Sequence, residues 1–152
     1  MPKADCGFKN QDGKPWPEAL VQHGPTLLVD VGFDPAFDPK SPKVPPKASV
    51  QQIMALVDTG ATESCIDDQL ALQLGLPIID VVQIAGVGGK HKTNRYLAQI
   101  HVAPLAFTIY GAFSGVNLAA GGQRHLVLIG RTFLSNFRMT YNGLTGEVVI
   151  EH

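Results

Sequence analysis

Nine of the eleven prolines in this 152-residue chain stand before residue 47, and they decide where regular structure can form. Pro2, Pro15, Pro17 and Pro25 break up a polar opening stretch, so residues 1–25 read as a loosely structured N-terminal arm. Pro35, Pro39, Pro42, Pro45 and Pro46 exclude both helix and central strand from residues 34–48, because each removes a backbone donor and fixes φ. That stretch reads as a surface loop. Between the two lies L-L-V-D-V-G-F, residues 27–33, with the pattern of a strand. Beyond the loop, short apolar runs predict strands at 50–57, 78–85, 93–103, 105–110 and 126–129. F-R-M-T-Y-N-G-L-T-G-E-V-V-I at the end predicts two strands around a turn. Helix signals are few. In D-D-Q-L-A-L-Q-L-G-L-P, residues 67–77, Asp67 suits an N-cap, Leu70 and Leu74 share a face, and Gly75 with Pro77 ends the helix. G-R-T-F-L-S-N-F starts a second short one. The expectation is one mainly-β domain over residues 26–152, with one or two short helices.

Composition narrows the partners. The chain is 45% hydrophobic and 16% charged, enough to build a core. Twelve Lys and Arg against thirteen Asp and Glu give a net charge of −1 with no basic cluster, which argues against nucleic acid. No apolar run approaches the roughly 20 residues of a membrane span. M-P-K-A-D-C-G-F-K-N lacks the apolar core of a signal peptide, so a cytoplasmic location is expected. The two cysteines, Cys6 and Cys65, fit reduced thiols.

Three short segments carry chemistry. A-L-V-D-T-G-A runs three apolar residues into Asp58, then turns at once through Thr59, Gly60 and Ala61. A strand tip of this kind can present a carboxylate to a cavity. Gly60 permits close approach, and the Thr59 hydroxyl is available to lock the turn. The second segment, Ile84-Ala85-Gly86-Val87-Gly88-Gly89, joins two predicted strands. It suits either a plain flexible hairpin or a mobile flap whose backbone amides meet a ligand. The phosphate-loop spacing G-x-x-x-x-G-K-[ST] is absent from it. The third, Leu128-Ile129-Gly130-Arg131, sends an apolar strand through a glycine into an arginine. Gly130 would let that strand pass close behind the Asp58 loop, leaving Arg131 to fix a neighbouring chain or subunit through charge-assisted bonds.

In this order and at these separations, D-T-G-A, I-A-G-V-G-G and L-I-G-R resemble the retropepsin-like (retroviral-type) aspartic proteases, over roughly residues 26–150. A helix after D-T-G and a hairpin after G-R are similar to the single-lobed cellular and bacterial branch. The resemblance implies a single-lobed acid-protease β-barrel active as a symmetric homodimer, acting on a peptide or protein substrate without metal or other cofactor. Asp58 would face its twin from a second subunit, the two carboxylates sharing a proton around one water. Thr59 would tie the two loops across the axis, and residues 84–89 would form the flap. Where viral members place a second aspartate that pairs with the arginine, this chain has Thr62, then Glu63; either the arginine loses that partner or Glu63 replaces it. A catalytically silent peptide-binding or dimerisation module on the same fold is the alternative.

Other candidates read as structural. His91 and His125 have no second ligand at metal spacing. Cys65 would need a histidine partner to act as a nucleophile. Trp16 sits between two prolines, as a pin for the arm or an exposed recognition element. Asp67 and Asp68, at the head of the predicted helix, are expected to tolerate Asn with little loss of activity.

Overall fold

A computed structural model describes residues 2–41, 44–86 and 89–152 of the chain. The strands are β1 (Lys3–Asp5), β2 (Thr26–Gly32), β3 (Val50–Val57), β4 (Cys65–Asp67), β5 (Ile78–Gly86), β6 (Gly89–Val102), β7 (Phe107–Val116), β8 (Val127–Ile129), β9 (Arg138–Asn142) and β10 (Glu147–Glu151). Three short helices, α1 (Pro17–His23), α2 (Asp68–Gln73) and α3 (Arg131–Leu134), and a 3-10 turn at Ala103–Leu105 complete it. A seven-stranded sheet runs β2-β3-β8-β4-β7-β6-β5, and β2 also pairs with β6. Six strands thus close into a barrel, and β5 stands outside as the second arm of a long hairpin with β6. A smaller sheet, β1-β10-β9, packs on it. Among the described residues no helix is long and apolar enough to cross a membrane.

Alternation in the sequence sets the inward faces. Leu27, Val29 and Val31 of β2, Ala55 and Val57 of β3, and Ile66, Val127 and Ile129 of β4 and β8 are buried. Tyr96, Ile100 and Val102 of β6 fill the barrel with them. Phe133 of α3 meets Phe107 and Phe137 at ring-centroid distances of 5.5 and 4.8 Å, which ties α3 and the approach to β9 onto the barrel. Asp67 caps α2 as its sequence predicts, accepting the Leu70 N–H at 3.0 Å.

The N-terminal arm has more structure than its prolines suggest. β1 pairs with β10, and Ala4, Cys6, Ala19 and Leu20 are buried. Pro17 stands in the first turn of α1, where its missing N–H would have had no helical partner anyway. The prolines mark the ends of elements there rather than forbidding them. β4 was also not expected; three residues are too few to show a period. β7 runs to Val116, six residues beyond the expected end, passing through Gly111 and Gly115.

The proline-rich loop has no strand or helix among its described residues, but its neck is closed. The Asp34 carboxylate accepts N–H groups from Ala36 and Lys47, both at 2.9 Å. These two bonds, Lys47's first, hold the carboxyl below its ordinary range. Gln99 of β6 clamps the Asp34 backbone, accepting its N–H at 2.7 Å and donating to its carbonyl at 3.2 Å.

Candidate active site

β3 and β8 run parallel with Val57 beside Ile129, so the chain leaves both strands at the same end of the barrel. Asp58 continues the pairing by donating its N–H to the Ile129 carbonyl at 2.9 Å. The chain then folds back: Ala61 N–H donates to the Asp58 carbonyl at 3.2 Å, and Gly60 N–H to Asp58 Oδ1 at 2.9 Å. One carboxylate oxygen is therefore oriented by its own turn. Asp58 is half-buried, while Thr59 and Gly60 are exposed at the tip. Among the described residues the Thr59 hydroxyl makes no hydrogen bond, so the turn is locked by Gly60, Ala61 and Arg131 and not by Thr59 as its sequence suggested.

The second segment of the loop packs directly on Gly130. A Cβ there would lie 2.6 Å from the Glu63 carbonyl carbon and oxygen and 2.8 Å from the Thr62 oxygen, distances at which only glycine fits. Around it the backbones interlock: Gly130 N–H donates to Ser64 Oγ at 3.0 Å, Arg131 N–H to the Ala61 carbonyl at 2.9 Å, and Thr132 N–H to the Thr62 carbonyl at 3.0 Å. The Arg131 guanidinium reaches over the loop, donating to the Thr59 carbonyl at 2.8 Å and to Thr62 Oγ1 at 2.9 Å. Arg131 thus braces its own chain, and a threonine hydroxyl takes the place of the acidic partner. Glu63 does not replace that partner; among the described residues the ion pairs are Lys9–Asp5 and Arg95–Asp80.

Leu128 is half-buried and Ile129 buried. Leu128 pairs with Leu56 on one side and Cys65 on the other, all three half-buried on the face of the sheet that also carries Asp58. The β5–β6 hairpin carries the glycine-rich segment: Ile84 lies opposite His91, Ala85 opposite Lys90 and Gly86 opposite Gly89. Val87 and Gly88 lie outside the described residues. Along the outer half of the hairpin, Asp68, Ile84, His91, Thr93, Asn94 and Asn117 line a cavity of about 530 Å³; Asp58 does not line it.

Two carboxylates beside this cavity carry roles their sequence did not show. Asp67 is 2% exposed. Its Oδ1 accepts the N–H groups of Leu118 and Ala119 at 3.0 and 2.9 Å, while Oδ2 caps α2. It pins the segment between β7 and β8. Asp68 accepts the Tyr96 hydroxyl at 2.6 Å; burial, and then this bond, push the phenol above its ordinary range. The partners of Asp67 lie 51 and 52 residues away, beyond any local pattern.

The remaining candidates are placed as follows. Cys65 is half-buried, its thiol pushed up by burial and by the charges of Glu63 and Asp58, which makes it a poor nucleophile. His125 is 3% exposed with Nε2 2.8 Å from Thr26 Oγ1; burial first, then Arg124 and His23, lower its pKa. His91 is exposed, and Trp16 is 45% exposed at the head of α1. Among the described residues no three His, Cys, Asp or Glu side chains gather as a metal site.

Comparison with known proteins bears on this geometry. A family model described as aspartyl protease matches residues 47–133, from the end of the proline-rich loop through Arg131. Among solved structures, a retropepsin-like aspartic protease from Rickettsia conorii is similar with a TM-score of 0.53 and 13% identity, covering 97% of this chain and 89% of that one. At that identity the likeness speaks for the fold. No curated protein matches the chain. With more than half its length matched and a closed six-stranded barrel, the chain belongs to the aspartyl protease family and has the retropepsin-like fold.

Proposed function

We propose that the chain is an aspartic endopeptidase whose active site is completed by a second copy, with Asp58 from each. The observation that carries this is a single D-T-G turn holding a half-buried carboxylate at the open end of the barrel. General acid–base hydrolysis needs two such groups, and 152 residues contain one. Two Asp58 carboxylates share one proton around a water. The ionised one takes a proton from the water as its oxygen bonds to the peptide carbonyl carbon. The protonated one gives its proton to the carbonyl oxygen. The tetrahedral diol then breaks at the C–N bond: the carboxyl that took the water proton gives it to the nitrogen, and the other carboxylate takes back a hydroxyl proton as the carboxylic acid forms.

In this reading Gly60 orients the carboxylate, and Gly130 and Arg131 keep the loop rigid. Residues 84–89 close over the substrate and offer backbone N–H groups to it. Leu56, Leu128 and Cys65 supply the apolar floor beside Asp58. Residues 26–152 form the catalytic domain, and residues 2–25 join it through β1 beside β10 and the buried Leu20. An unbiased peptide library incubated with wild type and Asp58→Asn across pH tests the assignment. Cleavage should be present in the first and absent in the second. Equal cleavage by both would overturn it.

A further inference from the structure

We propose that the cavity between α1 and the segment leading into β8 binds a phosphate group, inorganic or carried on a small ester, held by Arg124, His23 and His125. Gln22, His23, Gly122, Gln123, Arg124 and His125 line this cavity of about 380 Å³. None of them belongs to the Asp58 turn, the glycine-rich hairpin or the Gly130–Arg131 brace. The lining offers a guanidinium, imidazoles and amides, and no carboxylate. Arg124 is exposed, and its guanidinium rests against the His23 ring, with Nη1 3.0 Å from Nε2 and 3.3 Å from Nδ1. A neutral imidazole leaves that charge uncompensated; the ion pairs among the described residues are Lys9–Asp5 and Arg95–Asp80. The backbone adds donors. The N–H groups of Arg124 and His125 meet no protein acceptor among the described residues, whereas the next N–H, that of Leu126, donates to the Met54 carbonyl at 3.0 Å. A guanidinium fork and consecutive unpaired backbone N–H groups are the means by which proteins hold phosphate oxygens.

His125 narrows the anion to one that carries a proton. Its side chain is buried, with Nε2 2.8 Å from Thr26 Oγ1. The Thr26 hydroxyl gives its single proton to the Gly24 carbonyl at 3.0 Å, so Nε2 is the donor to Oγ1. Nδ1 is then a bare acceptor on the neutral ring. Among the described residues no sealed side-chain nitrogen goes unpartnered, so Nδ1, which has no protein partner, is the ring nitrogen that reaches the cavity. Burial, and then the charges of Arg124 beside it and His23 from α1, lower the pKa of His125, which keeps the ring neutral at neutral pH. An acceptor set beside a guanidinium is met by an oxyanion with a P–OH to offer. Inorganic phosphate has such a proton at neutral pH, and a phosphate ester takes one up readily, its second ionisation lying at about pH 6. Sulfate has none.

A group bound here joins parts of the chain that are far apart in sequence. His23 ends α1, and His125 stands directly before Leu126, whose N–H holds β3 at Met54 and whose carbonyl accepts the Asp67 N–H at 2.8 Å. Phosphate in the cavity therefore ties the N-terminal arm to the strand that runs on into Gly130 and Arg131.

Isothermal titration of the full chain with inorganic phosphate, glycerol phosphate and sulfate tests this. At about pH 7 at least one of the two phosphates should saturate a single site per chain, the tighter one naming the source, and sulfate should bind at least tenfold more weakly than it. That gap should narrow toward about pH 5, where a protonated Nδ1 donates to either anion. Arg124→Gln should weaken phosphate at least tenfold and His23→Gln by a smaller factor, each keeping the wild-type thermal transition in phosphate-free buffer. Lys14→Gln, an exposed lysine outside the cavity, should leave binding unchanged. No saturable binding of either phosphate to wild type, or equal binding by wild type and Arg124→Gln, overturns the site. Sulfate matching phosphate at about pH 7 overturns the part given to His125, and the phosphate assignment with it.

Discussion

Replacing Asp67 by Asn tests how much of the wall beside the catalytic strand hangs on one buried carboxylate. Asp67 accepts three backbone N–H groups with two oxygens and is 2% exposed. Asparagine keeps one acceptor oxygen and adds an NH₂. Turned toward Leu118 and Ala119, it aims the NH₂ at the Leu70 N–H and loses the cap, at about 1 kcal/mol. Setting two donors face to face in a buried site adds about 1–3 kcal/mol. Turned the other way, it loses two charge-assisted bonds, at about 1.5–3 kcal/mol each. The cheaper arrangement therefore destabilises by about 2–4 kcal/mol. At about 2–4 °C per kcal/mol for a domain of this size, the melting temperature should fall by roughly 4–16 °C. Calorimetry and urea unfolding at neutral pH would measure it, with Asp68→Asn as the comparison. Among the described residues Asp68 accepts only the Tyr96 hydroxyl, and an amide oxygen can do the same, so that variant should lose about 1 kcal/mol or less. If Asp67→Asn melts within about 1 °C of wild type, the three bonds are not holding the segment between β7 and β8.

Four further outcomes follow from the structure. Asp58→Asn should abolish proteolysis with an unchanged thermal transition, and a tenth of wild-type activity surviving would refute the acid–base role. Gly130→Ala forces a Cβ to 2.6 Å from the Glu63 backbone, so a loss of about 1–3 kcal/mol is expected by urea unfolding; a neutral result would mean the loop yields freely. Leu20→Ala should cost about 2–5 kcal/mol, since Leu20 is 1% exposed, and an unaffected melt would make the arm a mere appendage. The lowered pKa of His125 means that the unfolded chain binds the proton more readily than the folded one. Its stabilising effect is full above the ordinary histidine range, about pH 6.5, and is lost as pH falls toward the lower folded value. His125→Gln should therefore narrow the stability gap between about pH 7 and 5, and an identical gap in both proteins would contradict this.

Most of the barrel was legible because its strands announce themselves. The alternation in Leu27, Val29 and Val31, and the capped helix from Asp67, depend on neighbours in sequence. The Asp58 turn and its glycine neighbour were legible for a different reason. A carboxylate beside Gly60, and a glycine before Arg131, are residue choices with few uses. What was hidden depends on distant parts of the chain. β1 acquires strand structure only by meeting β10, and β4 only by lying between β7 and β8. Arg131 could not be read as Thr62's partner, because the pair stands 69 residues apart and a hydroxyl replaces the expected carboxylate. Prolines misled in the arm because Pro17 begins a helix as readily as others end one.

The clasp at Asp34 has a consequence for how this chain can change. One carboxylate holds Ala36 and Lys47, so the loop enters and leaves the barrel through a fixed gap set by Gln99. Between the two ends, among the described residues, the loop meets the barrel through Phe37, whose ring centroid lies 5.8 Å from that of Tyr110 in β7. Lengthening such a loop is cheap: doubling it costs only about 0.6 kcal/mol of closure entropy. The segment is thus a tolerant insertion port. A tag or a second domain spliced between residues 38 and 44 should leave melting and cleavage nearly unchanged, whereas the same insertion in an Asp34→Ala background would pull on β2 and β3 and be felt at the active site.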